Sequence, residues 1–227
     1  MTRYSLNPID RPLYPCHENY RTLFKIHHII QGARNHFMKE GTLFVISAPS
    51  GAGKSTLIDI VRPMFPDMLY SISCTTRAPR KGEVDGKDYH FITKDRFQRM
   101  VDNGEFTEWK LVHGNMYGTP SGPIRDAVIS GKRVILDIDV EGAREVFKTF
   151  PQAIGIFISA PDMTTLERRL RLRGSDSEES IRLRLTNARS ETEMISMFRY
   201  HIVNDDLEKA VNDLASIIRK ESSMSES

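Results

Sequence analysis

The residues best placed for chemistry are Lys54, Ser55 and Thr56, which follow the glycine-rich turn Ala48-Pro49-Ser50-Gly51-Ala52-Gly53. Main-chain N–H groups in such a turn converge and cradle phosphate oxygens, and a helix start behind them adds positive potential. Lys54 is spaced to reach a β- or γ-phosphate, and the Ser55 hydroxyl to sit on Mg²⁺. The spacing G-x-x-x-x-G-K-[ST] puts its first glycine at position 48, where this chain has Ala48, while Gly51 and Gly53 keep the freedom the loop needs. The plain alternative is an ordinary glycine turn before a helix. Against it, the apolar run Leu43-Phe44-Val45-Ile46 and the helical pattern after Lys54 are the context that phosphate binding requires.

Other chemistry-bearing groups are scattered along the chain. Arg77, Arg80 and Lys81 lie in the polar stretch Thr75–Glu83, which reads either as a solvated loop or as an anion site gripped by two planar guanidinium forks. Glu108 sits among aromatics in an alternating segment, as a buried carboxylate or as its solvent-facing member. Asp137 and Asp139 end an apolar strand over 133–139. Period two puts them on one face, where a carboxylate could hold Mg²⁺ through water, bind a nucleotide group or merely cap the strand. Arg168, Arg169, Arg171 and Arg173 mark one helix, and Arg182, Arg184 and Arg189 the next, joined at Gly174. The pair reads as a hinged flap over phosphates, a salt-bridged surface pair or a nucleic-acid groove; acids at 176, 178, 179, 191 and 193 weaken the last. His27 and His28 lack partners for a metal site, and His113 and His201 read as structural.

Positioning these groups takes an α/β architecture. A helix is predicted from Lys54 to Val61, a strand over Tyr70–Cys74, and then short β segments between Asp88 and Pro120. Those include a Thr93-capped helix to about Val101 and a hairpin turned at Gly114-Asn115. Helix–strand order returns with a helix from Pro123 to Ser130, a strand over 133–139 and a helix from Gly142 to Thr149. Then come a strand from Ile154 to Ile158, the two arginine helices, a strand from Tyr200 to Asn204 and a helix from about Leu207 to Lys220.

At 227 residues and net charge +2, the chain suits one large domain with a small insertion, and its charge makes no case for nucleic acid. Cys16 and Cys74 are far apart in sequence, which favours a reducing, cytoplasmic setting. No apolar run approaches the ~18 residues of a membrane span. Residues 1–37 stand apart, with five basic residues against two acidic and prolines at 8, 12 and 15. They read as a poorly ordered extension, or as a start placed too early, with Met38 as the true beginning.

These separated motifs together resemble guanylate kinase. They are Ala48–Ser55, Ser73–Glu83, Gly86–Tyr89, Phe106–Trp109, Gly114–Thr119, Leu136–Asp139 and Val203–Asp206, spread over about residues 41–220. The string Thr75-Thr76-Arg77-Ala78-Pro79-Arg80-Lys81-Gly82-Glu83 is the most specific of them, and the resemblance it carries implies an anion site rather than a merely solvated loop. The resemblance implies a P-loop nucleoside-monophosphate-kinase fold: a parallel core sheet flanked by helices (38–73 and 123–220), a mostly antiparallel GMP-binding insertion at about 74–122, a helical lid at about 165–190, and a disordered tail, 221–227. It implies ATP-dependent phosphorylation of GMP, and of dGMP, with Mg²⁺ on Ser55, no nucleic-acid or membrane partner, and room for a homo-oligomer.

Residue by residue, Ala48, Pro49, Ser50, Gly51, Ala52, Gly53, Lys54, Ser55, Thr56, Arg169 and Asn204 would hold ATP. Arg77, Arg80, Tyr89 and Tyr117 would take the GMP phosphate. Glu108 would accept from guanine N1–H and the N2 amine, with Ser73, Glu83, Gly118, Thr119, Asp137 and Asp139 completing the acceptor side. Lys54, Arg80, Arg173 and Arg184 would neutralise the phosphoryl group in transfer. Three positions depart from the family pattern: Met116 replaces a tyrosine, Leu172 a small residue before Arg173, and residues 1–37 lie outside the family core. A rival reading is a scaffold module binding phosphopeptides without catalysis. Such modules typically lack P-loop or lid features that are present here.

Overall fold

The structure is a computed structural model, and it describes residues 40–112, 114–172, 174 and 177–224. The apolar run after Gly41 becomes strand β1 (Leu43–Ser47), buried along its whole length. It lies at the centre of a five-stranded parallel sheet that also contains β2 (Leu69–Tyr70), β7 (Val134–Asp137), β8 (Ile154–Ser159) and β9 (Tyr200–Val203), in the order β2-β7-β1-β8-β9. A strand covered on both faces is apolar at every position, and β1 shows why. Phe44 and Ile46 join one core layer with Leu57, Ile156, Leu214 and Ile218, while Leu43 and Val45 join the other with Leu136, Val146 and Phe157. Each such side chain contributes roughly 1.5–3 kcal/mol when fully buried.

Helix α1 (Lys54–Val61) leaves the glycine turn and packs against the closing helix α7 (Leu207–Met224). A second sheet, ordered β4-β3-β6-β5, is built from β3 (Cys74–Thr75), β4 (His90–Phe91), β5 (Phe106–Val112) and β6 (Asn115–Pro120). Between β4 and β5 runs α2 (Lys94–Asp102), whose Thr93 side chain accepts from Arg96 N–H as the cap predicts. Next come α3 (Ser121–Ile129) and α4 (Val140–Thr149), then the arginine helices α5 (Met163–Leu172) and α6 (Glu178–Glu193), the latter capped by Ser177. Gly174 breaks the chain between them with φ +66.

Several expectations are corrected. The strand predicted over Tyr70–Cys74 is two strands in two sheets: Leu69 and Tyr70 pair with β7, and Cys74 and Thr75 with β4 and β6. The chain crosses between sheets there: Ser71 N–H still donates to Ile135 O at 3.0 Å, and Ser73 O already accepts from His90 N–H at 2.9 Å. The β3–β4 pair is parallel within an otherwise antiparallel sheet. Val112 pairs with Asn115, so Asn115 belongs to the strand rather than the turn. Strand β7 ends at Asp137, because Asp139 is spent as the N-cap of α4, its side chain accepting from Gly142 N–H at 2.8 Å. Helix α7 runs through Met224, so residues 221–224 are not tail. Glu221 is only 6% exposed and takes hydrogen bonds from Tyr200 Oη and Arg199. Residues 1–37, His113, Arg173 and residues 225–227 lie outside the described residues.

Candidate active site

The C-terminal ends of β1 and β7 open onto a cleft of about 450 Å³. In an open parallel sheet this edge collects ligands, since loops and helix starts converge on it. On the β1 side the turn 48–53 delivers the chain into α1. Gly53, with φ +95, is the left-handed entry residue, and no side chain caps the helix start, which leaves its N–H groups to an anion. A Cβ at Gly53 would stand 2.3 Å from Asn204 Nδ2, an atom that donates to Ala52 O at 2.8 Å. Asn204 is thus a buried brace that fixes the loop. Arg169 donates to Asn204 O at 2.9 Å, and its other terminal nitrogen is buried without a partner among the described residues. From α6, Arg184 donates to Ser50 Oγ at 2.6 Å, which brings the second arginine helix against the turn.

Lys54 folds across the cleft, donating to Ile138 O at 2.8 Å and pairing with Asp137 at 2.7 Å. The other Asp137 oxygen accepts from Tyr70 Oη at 3.2 Å. Burial, then the neighbouring Asp137 charge, pushes the Tyr70 hydroxyl well above its ordinary range, so it stays a donor. Ser55 lines the same cleft, whereas Thr56 is exposed and is not among its lining residues.

Facing them is the second sheet. Glu108 on β5 stands opposite Thr119 on β6, which donates to Glu108 Oε1 at 2.6 Å, and Thr119 lies 3.3 Å from Ser73 Oγ. Strand β5 reverses the usual alternation. Glu108 and Lys110 point to the cleft and are half-buried, while Trp109 and Leu111 are 49% and 66% exposed. Burial pushes the Glu108 carboxyl up, and the Thr119 hydrogen bond and the Lys110 charge pull it back. Lys110 is ion-paired with Asp139.

Beside this pocket Arg77 is locked. It makes two bonds to Glu83, at 2.8 and 2.9 Å, and one to Tyr117 Oη at 3.2 Å, and it lies over the Tyr89 ring. The Glu83 carboxyl is held at about 2 by Arg77 and by the Arg80 N–H. The Arg80 side chain is exposed, with no ion-pair partner among the described residues. Tyr89 and Tyr117 meet edge to face at 5.9 Å.

The cleft therefore gathers Lys54, Ser55, Ser73, Tyr89, Glu108, Tyr117, Gly118, Asp137 and Asp139 from the residues predicted for the site. Arg77, Arg80 and Glu83 stand next to it, and Arg169, Arg184 and Asn204 lie on the turn side. Arg173 lies outside the described residues. Tyr70 and Lys110 line the cleft and were not anticipated. Lys110 is two residues from Glu108 on a strand, so period two alone could have found it, whereas Tyr70 is brought in by the sheet order.

The arrangement places the glycine turn with Lys54 and the Glu108 pocket on opposite walls of one cleft. Residues 40–221 match the family described as "Guanylate kinase". The chain is 48% identical over 184 residues to a guanylate kinase of Carboxydothermus hydrogenoformans, which covers 81% of this chain and 90% of the relative. It is 46% identical over 182 residues to one of Synechocystis sp., covering 80% and 95%. Its fold is similar to the crystal structure of guanylate kinase from Anaplasma phagocytophilum, with TM-score 0.63 and 33% identity over 82% of this chain and 88% of that one.

Proposed function

The chain belongs to the guanylate kinase family, and from that premise we infer that it transfers the terminal phosphoryl group of ATP to GMP, giving ADP and GDP. The observation that carries the choice of acceptor is Glu108, a half-buried carboxylate aimed into the cleft and backed by Thr119 and Ser73. Guanine presents two donors, N1–H and the N2 amine, to such an acceptor. Adenine presents neither, so AMP would leave a desolvated carboxylate unpaired.

Arg77, pre-set by Glu83 and Tyr117, offers its remaining surface to the acceptor phosphate together with Tyr89. The glycine turn and the first N–H groups of α1 receive the phosphates of ATP, with Arg169 and Asn204 beyond them. A nucleotide phosphate outcompetes Ile138 O for Lys54 because it offers a full charge in place of a carbonyl dipole. Lys54, Arg80, Arg173 and Arg184 then balance charge on the group in flight. The acceptor is already an anion and needs no strong general base, so catalysis is positioning plus electrostatics. Mg²⁺ takes few protein ligands and keeps water and phosphate oxygens. The Ser55 hydroxyl, opening on the cleft at the helix start, fits that demand, and the ion would neutralise β- and γ-phosphate charge. The span 74–122 serves as the acceptor-binding part and 165–190 as the lid. A cytoplasmic setting is supported by cysteine usage alone; among the described residues no helix is long and apolar enough to cross a membrane.

The test is ADP release with ATP and Mg²⁺ against GMP, dGMP, AMP, CMP and UMP. Turnover of GMP well above AMP, CMP and UMP is expected. Turnover of AMP or UMP without GMP would end the assignment.

A further inference from the structure

Two carboxylates converge beside the base-edge pocket, and Lys110, ion-paired with one of them, shares a strand face with the other. Asp139 caps α4 through Gly142 N–H, and a Cβ on Gly142 would lie 3.2 Å from Asp139 Oδ1 and 3.4 Å from the Glu108 carboxyl carbon. Glu108 and Asp139 thus flank the same glycine. Lys110, two residues along β5 from Glu108 and on the same face, is ion-paired with Asp139. The pair also ties the second sheet to the helix start that follows β7, since β5 packs on α4.

We propose that Lys110 is a positioning residue for base selection: clamped by Asp139, its ammonium stands beside Glu108 and holds that carboxylate as an all-acceptor partner for guanine. The inference rests on GMP being the acceptor. Without Lys110, Glu108 would face burial and the Asp139 charge together, and both favour its protonated form. A protonated Glu108 carries a donor where guanine also has donors.

The other charged groups around the pair do not replace Lys110. From α1 comes Lys54, already committed to Asp137 and Ile138 O. From α4 and α6 come Glu141 and Glu191, both acids facing Lys110. On the side of β4, Asp88 and Tyr89 line the cleft and bring no positive charge, and from β6 come only Thr119 and Tyr117. Burial lowers the Lys110 ammonium from its ordinary range, while Glu108, Glu191 and Glu141 support it.

The test is the pH profile of kcat/KM for GMP in Lys110→Met, Lys110→Arg, Glu108→Gln and the Lys110→Met/Glu108→Gln double variant, with melting curves as a fold check. An opposite charge favours the ionised form of a carboxyl, so Lys110→Met should lose about tenfold at the acid end. It should stay within about twofold of wild type on the alkaline plateau. Lys110→Arg should restore the acid end, and adding Lys110→Met to Glu108→Gln should produce no further acid-selective loss. A loss that is equal at every pH, or an acid-selective loss that persists in the Glu108→Gln background, overturns the proposal. Wild-type protein that does not turn over GMP would instead sink the assignment on which it rests.

Discussion

Exchange of Glu108 for glutamine is the most direct probe of the pocket proposed to read the base edge. The amide keeps the volume of the side chain, so the cleft does not open to water as it would in an alanine variant. What changes is polarity, because one acceptor oxygen becomes an NH₂ donor. Thr119 donates to Oε1 at 2.6 Å, and Ser73 Oγ lies 3.3 Å from Thr119. The two hydroxyls can reverse their donor order to meet an amide turned either way. Glutamine therefore keeps one acceptor toward guanine at best and loses one charge-assisted bond, worth ~1.5–3 kcal/mol. At 1.4 kcal/mol per decade the expected fall in kcat/KM for GMP is roughly 10- to 150-fold.

The assay is coupled ADP release with GMP varied at saturating ATP, then with ATP varied at saturating GMP. The ATP KM should hold within about twofold, since Glu108 lies on the wall opposite the glycine turn. The pH dependence gives a second readout. Burial raises the Glu108 carboxyl above its ordinary range, and guanine binding needs the ionised form. Wild-type kcat/KM should therefore decline as pH falls through that raised value, and the glutamine variant should lack this limb. A loss below about threefold, or an equal rise in the ATP KM, would refute the role given to this carboxylate.

Other outcomes follow from the same geometry. Arg80→Ala should lower kcat by ~10²-fold, the scale of a lost transition-state donor, and leave the melting temperature unchanged because the side chain is exposed; an unaltered kcat removes it from the catalytic set. Gly53→Ala places a Cβ 2.3 Å from Asn204 Nδ2 at φ +95 and adds a left-handed penalty of about 1–2 kcal/mol. ATP affinity should drop at least ~10-fold by titration calorimetry, and wild-type affinity would contradict the loop geometry. Glu221→Ala leaves Tyr200 Oη and Arg199 without their acceptor and should cost ~1–3 kcal/mol of stability, or roughly 2–10 °C in Tm, with kcat/KM intact. A melting curve unchanged within a degree would refute that.

How much of the molecule can be read from its residues depends on the range of the physics. Local signals were legible. The β1 run, the α1 start at Lys54, the Thr93 cap and the Gly174 break each depend on a few neighbouring residues and their intrinsic preferences, and each is found where the pattern puts it. The glycine turn belongs with them, since its main-chain geometry is written in the closely spaced Gly51 and Gly53. Glu108, Arg77 and Asp137 could be singled out by type and by resemblance, but not their partners.

Those partners are set by pairings between distant segments. The stretch Tyr70–Cys74 alternates like one strand, yet β7 takes its start and β6 takes its end, because two sheets compete for its hydrogen bonds. Asp139 continues the period of β7 in sequence, but the N–H groups at the start of α4 claim it as a cap. Glu221 looks like polar tail and is buried, since only the packed helix shows that Tyr200 and Arg199 reach it. The sequence by itself determined the strand–turn–helix proposed to bind phosphate and the residue types available for catalysis. Tertiary structure alone decided which carboxylate faces the cleft, which cation shares its strand face and pairs with Asp139, and which arginine reaches the turn, because charges separated by tens of residues interact only once the sheets have brought them together.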